Sequence, residues 1–206
     1  AGLFDRIERV DNPHRRSKVD YLTETRFART LYLDTDIRIV ADIRSMFSLL
    51  DRFDIALAHA HSRNREETKE IWRKALPTAF TQFNGGVIVY KANPQVMRFL
   101  EDWKAAYHSA GKKKDQVTLR ELLWDSDLRI YTLPPEYNVR YEKYLKFWAP
   151  SEAAPRILHF KRFHKEAGAA EPGRRGAGSR RLAKLMHRRL ARMVPGRGRK
   201  RPDEPR

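Results

Sequence analysis

The segment that decides the fold is Leu31-Tyr32-Leu33-Asp34-Thr35-Asp36-Ile37-Arg38-Ile39. It starts with a short apolar run, which predicts a buried β-strand. Two carboxylates follow, and in an extended chain side chains at i and i+2 share a face. Asp34 and Asp36 are therefore expected to point the same way from the end of a central strand. Two adjacent anions are costly without a cation, so the pair favours a Mg²⁺ or Mn²⁺ site. A plain turn is the alternative, because Asp is common where strands end.

Length and composition indicate one domain of ordinary size followed by a tail. The chain has 206 residues, and its hydrophobic share of 41% supports a real core. It contains no cysteine, which excludes a disulfide framework and a cysteine-based zinc site and fits a reducing compartment. No apolar run approaches the roughly 20 residues of a membrane span.

The net charge of +17 is concentrated towards the end of the chain. Residues 171–206 hold thirteen Lys and Arg against three acidic residues. Residues 167–179 are rich in Gly, Ala and Arg and predict a flexible linker, and residues 180–206 predict a basic amphipathic helix and a disordered tail. Such a helix can lie on an anionic membrane, so a cytoplasmic location, peripheral at the inner face, is expected.

Two other roles for the basic tail stay open. Nucleic acid is a competing partner, but no aromatic interleaving or recognition motif accompanies the charges, and no specific nucleic acid is expected. A tail that only raises solubility is the third possibility.

The remaining pattern predicts alternating helices and strands. Asn93 and Pro94 are typical of a helix start, as N-cap and first helical residue. Helices are expected over 17–29, 43–53 and 62–75 and from residues 93 and 115, and strands over 4–10, 54–59, 87–89 and 129–133.

Several residues have both a structural and a functional interpretation. Gly85 and Gly86 precede a β-branched run, where they allow either a tight turn or a close approach of the backbone. Asp115 opens a helix and can be simply its N-cap. His59 and His61 are weak metal candidates, and a plain loop is preferred for both. The aromatic residues of 141–148 suit an acceptor-facing loop, although a satellite core cluster is preferred.

Four segments in the same order resemble GT-A-fold glycosyltransferases, most closely the glycogenin and lipopolysaccharide-galactosyltransferase type. They are RTLYLDTDIRI (29–39), FNGGVIVYK (83–91), KDQVTLRELLW with LRIYTLPPEYN (114–124 and 128–138) and RILHFKRFHK (156–165). The resemblance implies an α/β GT-A-like domain over residues 1–166, a mixed sheet flanked by helices. It also implies that the strands that hold the nucleobase are missing from this chain, because Asp34 comes so early.

The resemblance also assigns site residues. It implies that Asp34, Asp36 and His159 bind the metal ion and that Asp115 and Gln116 lie at the reacting sugar. The remaining donor-binding residues would be Lys18, Thr35, Asn84, Gly85, Gly86, Lys161 and Lys165. A solvated surface lysine is the alternative for Lys18. The Gly and Lys-Pro-Trp pattern that follows the histidine in the family is absent, so which basic residues grip the diphosphate is open.

The implied reaction moves a sugar from a nucleotide-diphospho-sugar, expected to be a UDP-sugar, to a hydroxyl group with Mn²⁺ or Mg²⁺. The acceptor would be a glycan, a lipid-linked molecule or a protein. The family retains anomeric configuration, whereas an inverting enzyme would use Asp115 as general base. A metal-dependent nucleotidyltransferase, a sugar-nucleotide hydrolase and a non-catalytic basic module that binds membranes or nucleic acid remain alternatives.

Overall fold

A computed structural model of the chain describes residues 4–11, 13–149 and 151–164. The expected linker over 167–179, the expected basic helix and tail over 180–206 and Lys165 lie outside these ranges. The described part is an α/β unit, as the sequence predicts.

Its main sheet has four strands, β1 (Arg29–Leu33), β3 (Ile55–His59), β4 (Phe83–Lys91) and β5 (Ile130–Thr132). Their order in the sheet is β1-β4-β3-β5. β4 runs antiparallel to both β1 and β3, and β3 runs parallel to β5. The sheet is therefore mixed, in agreement with the expected fold class.

A second, two-stranded sheet pairs β2 (Ile37–Ile39) with β6 (Ile157–His159) in antiparallel orientation. Its register places Ile37 opposite His159. This pairing carries His159 to the turn that follows β1, although more than a hundred residues separate the two in sequence.

Both faces of the main sheet are buried, which explains why its inner strands are continuously apolar. Ile55 and Leu57 of β3 face one core, and Ala56 and Ala58 face the other. The first core is closed by α4 (Pro94–Ser109) and α5 (Asp115–Asp125), which supply the fully buried Trp103 among others. The second is closed by the short helix α2 (Ser45–Ser48) and by β6.

The start of α4 forms as the sequence predicts. Asn93 Oδ1 accepts a hydrogen bond from the Val96 backbone N–H at 2.9 Å, and Pro94 occupies the first position, where no N–H is needed. Asp115 begins α5 but is not its N-cap, since Lys114 holds that position. The side chain of Asp115 is thus available for other contacts.

Several predicted elements are shorter than expected. The helix predicted over 17–29 is only α1 (Lys18–Tyr21) with a 3₁₀ turn (Leu22–Glu24), since Thr25 is extended. The helix over 43–53 reduces to α2 and a 3₁₀ turn (Leu49–Asp51), and that over 62–75 reduces to α3 (Glu66–Lys69). Residues 4–10 form no strand. A further 3₁₀ turn (Pro135–Tyr137) and α6 (Tyr144–Phe147) complete the elements.

The expectation that β1 is a buried central strand is wrong for the described part of the chain. β1 is an edge strand there, and its residues Thr30 to Leu33 are only half-buried, because β4 is its single neighbour. Of the described helices, none combines the length and the hydrophobicity needed to cross a bilayer.

Candidate active site

Asp34, Asp36 and His159 converge, and the turn after β1 is what brings the two carboxylates together. Asp34 follows the last residue of β1, and residues 35 and 36 form a turn before β2 begins. His159 Nε2 lies 2.9 Å from Asp36 Oδ1 and 3.6 Å from Asp34 Oδ2. One ligand atom from each residue lies within 4.8 Å of the others. The structure therefore brings the three predicted ligands together, through turn geometry rather than the pleat of one strand.

A hydrogen-bond chain fixes the orientation of the His159 ring. Its Nδ1 donates to Asn138 Oδ1 at 2.8 Å, and Asn138 Nδ2 donates to Asn84 Oδ1 at 2.9 Å. Asn84 Oδ1 also accepts the Gly86 backbone N–H at 3.1 Å, so the direction of the whole chain is set by the backbone. With the proton on Nδ1, the Nε2 lone pair faces the two carboxylates, as a metal-binding histidine requires.

The donor set fits a divalent cation. Burial lowers the pKa of His159, which keeps the ring neutral near pH 7. A neutral Nε2 lone pair close to two carboxylates is repulsive unless a cation lies between them. Although burial opposes it, the contact with His159 and the charge of Arg140 lower the pKa of Asp36 to about 2, so that carboxylate is charged. Two carboxylates and one imidazole suit Mn²⁺ and also accommodate Mg²⁺.

Gly86 is required by this arrangement. A Cβ at position 86 would overlap His159 Cε1 and lie 2.7 Å from Asp34 Oδ2. The Asp34 N–H also donates to the Gly86 carbonyl at 2.9 Å, so backbone and ligands are in direct contact. Of the two interpretations of this glycine pair, the close approach is the one observed at Gly86.

Lys18 is a buried part of the site rather than a solvated lysine. Its side chain is 7% exposed, and Nζ donates to the Gly85 carbonyl at 2.7 Å. The same Nζ lies 3.4 Å from Asp34 Oδ1 and 3.3 Å from Asp115 Oδ2. Lys18 therefore links the metal-ligand turn to the start of α5.

Asp115 is fully buried, and the side chains of Arg16 and Lys18 lie against its carboxylate. Arg16 Nε is 3.2 Å from its Oδ1, and both oxygens make ion pairs without a hydrogen bond of good geometry. Gln116, the next residue, is half-buried and lines the open cavity. Gln116 thus lines the cavity, whereas Asp115 pairs with Arg16 and Lys18.

The cavity over the three predicted ligands has a volume of about 710 Å³ and a cationic wall. Thr35, Asn84 and Lys161, all predicted donor-binding residues, line it. Four basic residues of the wall were not predicted from the sequence: Arg15, Arg16, Lys114 and Arg140. In a chain with 43 Lys and Arg, no spacing marks these four out. Asn138 was also missed as a support for His159, although it lies in the quoted segment LPPEYN.

Arg140 is the most unusual member of that wall. Burial lowers the pKa of its guanidinium, and Nη1 has no hydrogen-bond partner. No ion pair or hydrogen bond of Arg140 is found among the described residues, although Asp36 and Asp34 attract it at longer range. An enclosed guanidinium with free donors is suited to a bidentate anion such as a phosphate.

His59 and His61 belong to no group of three potential metal ligands in the described part of the chain. His59 Nδ1 is 2.9 Å from Thr81 Oγ1, and its ring stacks on Phe83. In the 141–148 segment, Leu145 is buried in a small apolar cluster against which Tyr144 and Trp148 pack. His59 is the last residue of β3, so the loop expected for it is not observed, whereas the 141–148 segment forms the expected apolar cluster.

The chain belongs to the nucleotide-diphospho-sugar transferase family, whose model matches residues 22–167. A search of curated proteins finds no significant match. Among similar solved structures, the galactosyltransferase LgtC, solved with donor and acceptor sugar analogues, is 16% identical over 87% of this chain and 68% of that chain, with a TM-score of 0.51. The bifunctional glycosyltransferase WbbM is 14% identical over 83% of this chain, with a TM-score of 0.52.

Mouse xyloside xylosyltransferase 1 is 16% identical over 69% of this chain, with a TM-score of 0.45. The chain spans 61% of that enzyme and 37% of WbbM, so it matches only part of each. At these identities, LgtC and WbbM establish the GT-A-like fold alone.

Proposed function

We propose that the chain carries the catalytic centre of a metal-dependent glycosyltransferase, which moves a sugar from a nucleotide-diphospho-sugar to an acceptor hydroxyl. The observation that carries the proposal is the convergence of Asp34, Asp36 and the oriented His159 under a cationic cavity. Mn²⁺ or Mg²⁺, when bound there, neutralises negative charge on the leaving diphosphate.

In this proposal, different residues of the cavity bind the diphosphate, hold the backbone and contact the sugar. Arg140 offers free guanidinium donors, and Lys161 lines the same cavity; both favour an anionic leaving group. Lys18 holds the Gly85 carbonyl and so keeps the backbone beside Asp34 in place. Gln116 offers an amide to the hydroxyl groups of the transferred sugar. A UDP-sugar is the donor that we propose.

The burial of Asp115 bears on stereochemistry. A general base must reach the proton of the attacking hydroxyl, and Asp115 has no exposed surface and two cations against it. The arrangement favours a positioning role for Asp115 over the role of base in an inverting reaction.

The test is a screen of UDP-sugars with Mn²⁺, read out by Mn²⁺ affinity and by product analysis. The wild-type chain is expected to bind Mn²⁺ and to release UDP from its donor. The Asp36→Asn variant is expected to lose both the Mn²⁺ binding and the UDP release. Asp102→Asn, on the exposed side of α4, is the matched control and should behave as wild type. Full turnover in excess chelator would overturn the proposal.

Product analysis separates the alternative reaction classes. Transfer joins the anomeric carbon to the acceptor oxygen, breaks its bond to the diphosphate oxygen and releases UDP. A nucleotidyltransferase acting on the UDP-sugar transfers its uridylyl group to added pyrophosphate, which forms UTP and releases a sugar 1-phosphate. A hydrolase acting at the phosphoanhydride uses water instead and releases UMP and a sugar 1-phosphate. Donor breakdown to either of these product sets would replace the glycosyltransferase assignment. The acceptor that we propose is a glycan, a lipid-linked molecule or a protein.

A second proposal concerns the basic region 171–206 and rests on its sequence alone. Its charge and apolar periodicity favour attachment to an anionic membrane surface, at the cytoplasmic face. Removal of residues 171–206 is expected to abolish salt-sensitive binding to vesicles that contain phosphatidylserine. If the full chain does not bind such vesicles at low salt, this proposal is wrong.

A further inference from the structure

A second polar cavity, of about 450 Å³, lies beside the start of β4 and is separate from the cavity over Asp34 and Asp36. Its walls come from the 63–78 segment, from Thr81 and Gln82, and from Arg120 of α5. Glu121 fixes the outer wall, because its carboxylate accepts the backbone N–H groups of Trp72, Arg73 and Lys74. The cavity is therefore a built feature of the fold.

The side-chain amide of Gln82 is the feature of this cavity that indicates a ligand. The side chain of Gln82 is enclosed, with the residue only 1% exposed, yet neither Oε1 nor Nε2 has a hydrogen-bond partner among the residues that the structure describes. Its backbone carbonyl is already used by the Ala60 N–H. An unpaired buried amide is destabilising, and a ligand hydroxyl, which both donates and accepts, would satisfy it.

The charge of the lining favours an anionic ligand. Arg120 is 8% exposed, and its guanidinium donates only to the carbonyls of Phe80 and Pro77, without an ion pair among the described residues. Arg63 lies at the rim and donates to the Ala60 carbonyl. No described residue of the lining carries a carboxylate, and the nearby Glu121 carboxylate is turned to backbone N–H groups.

The position of Gln82 relates this cavity to the candidate active site. Gln82 precedes Asn84 by two residues, which is about 7 Å along a strand, and Asn84 lines the cavity over the metal ligands. A saccharide chain with one unit at the metal ligands can therefore place a neighbouring unit against Gln82. Ile71 and Leu76 supply apolar surface for a sugar ring.

We propose that the Gln82 cavity binds an acidic saccharide unit of the acceptor, with ring hydroxyls on the Gln82 amide and the anionic group near Arg63 and Arg120. The term acceptor rests on the proposed function, whereas binding of the acidic sugar does not. A carboxylate and a phosphate ester are both anionic substituents that this lining can hold, and the experiment distinguishes them.

The experiment measures binding to the full chain in chelator and without donor, so that its outcome is independent of the metal site. The probes are methyl β-glucuronide, glucose 6-phosphate, the neutral methyl β-glucoside and inorganic phosphate, followed by ligand-observed NMR. At least one acidic sugar is expected to bind about tenfold more tightly than the neutral glucoside and than inorganic phosphate. Whichever acidic sugar binds more tightly, the glucuronide or the 6-phosphate, identifies the anionic group that the cavity prefers.

Gln82→Leu is expected to weaken the binding of the acidic sugar about tenfold, which corresponds to the loss of one hydrogen bond between the protein and the ligand. Gln95→Leu, on the exposed side of α4, is the matched control and should bind as wild type. Arg63→Met tests the charge at an exposed position, and Asp36→Asn should not change binding of the sugar.

Three results would overturn the proposal. They are the failure of both acidic sugars to bind, unchanged binding in Gln82→Leu, and equal affinity for inorganic phosphate and for the sugars. Any of them leaves the Mn²⁺ and UDP measurements untouched. A failure of the proposed function appears instead as absent Mn²⁺ binding or absent UDP release.

Discussion

Gly86 packs directly against His159, and a side chain at position 86 would occupy the space of the imidazole ring. The same glycine accepts the Asp34 N–H and donates its own N–H to Asn84, whose amide oxygen binds Asn138. One backbone position thus touches two predicted metal ligands, Asp34 and His159, and starts the hydrogen-bond chain that orients the His159 ring.

Gly86→Ala is expected to weaken Mn²⁺ binding by at least about tenfold, because His159 and Asp34 must move apart to admit the methyl group. Titration with Mn²⁺ followed by electron paramagnetic resonance measures this effect. Gly85→Ala is the control, since its Cβ would meet only the flexible end of Lys18 at 3.3 Å and Asp115 Oδ2 at 3.5 Å. Equal Mn²⁺ affinities in the two variants would contradict the close packing.

Arg140→Met is expected to weaken UDP binding in the presence of Mn²⁺ by about tenfold to a hundredfold, since a charge-assisted hydrogen bond contributes about 1.5–3 kcal/mol. Arg140→Lys should be intermediate, because it keeps the charge and loses the planar fork. Calorimetry with UDP measures the affinities, and Arg98→Met, exposed on α4, serves as the control. An Arg140→Met chain that binds UDP like the wild type would exclude Arg140 from the diphosphate site.

Asp115→Asn is expected to lower turnover at least about tenfold and to change UDP affinity much less. The substitution keeps the shape and removes the charge that holds Arg16 and Lys18, so the loss should fall mainly on the transition state. Steady-state rates and UDP affinity, measured on the same preparation, separate the two effects. A loss confined to UDP affinity would place Asp115 in donor binding instead.

The half-buried His61 is expected to make folding stability depend on pH. Burial, reinforced by the charge of Arg140, lowers its pKa to about 4, against about 6.5 in the unfolded chain. Between these values the unfolded chain binds more protons, so stability is fully present above pH 6.5 and falls as the pH drops towards 4.

His61→Phe should remove this dependence. The expected difference between the two stability curves is about 2 kcal/mol across the window, after allowance for partial exposure of the ring. Urea denaturation at several pH values between 7 and 4 measures it. Parallel curves for wild type and His61→Phe would show that His61 does not titrate in this window.

Much of the fold could be predicted from local patterns. The cap at Asn93, the β-branched run after Gly86 and the helix that starts at Asp115 all depend on residues close in sequence, and all three elements form. The lengths of the helices near residues 17, 43 and 62 could not be predicted. Short helices are stabilised by what they pack against more than by propensity, so their ends depend on distant residues.

The sequence by itself determined which residues are the candidates for the chemistry of the site. The pair Asp34 and Asp36, the glycines at 85 and 86, and His159 after two apolar residues are visible without a structure, because each is a local choice of residue type. Only the tertiary structure decided how they meet: β6 pairs with β2, and the turn after β1 brings both carboxylates to His159. It also decided that Asp115 pairs with Lys18 and that Arg140 Nη1 has no hydrogen-bond partner among the described residues, since burial and charge compensation depend on residues far apart in the chain.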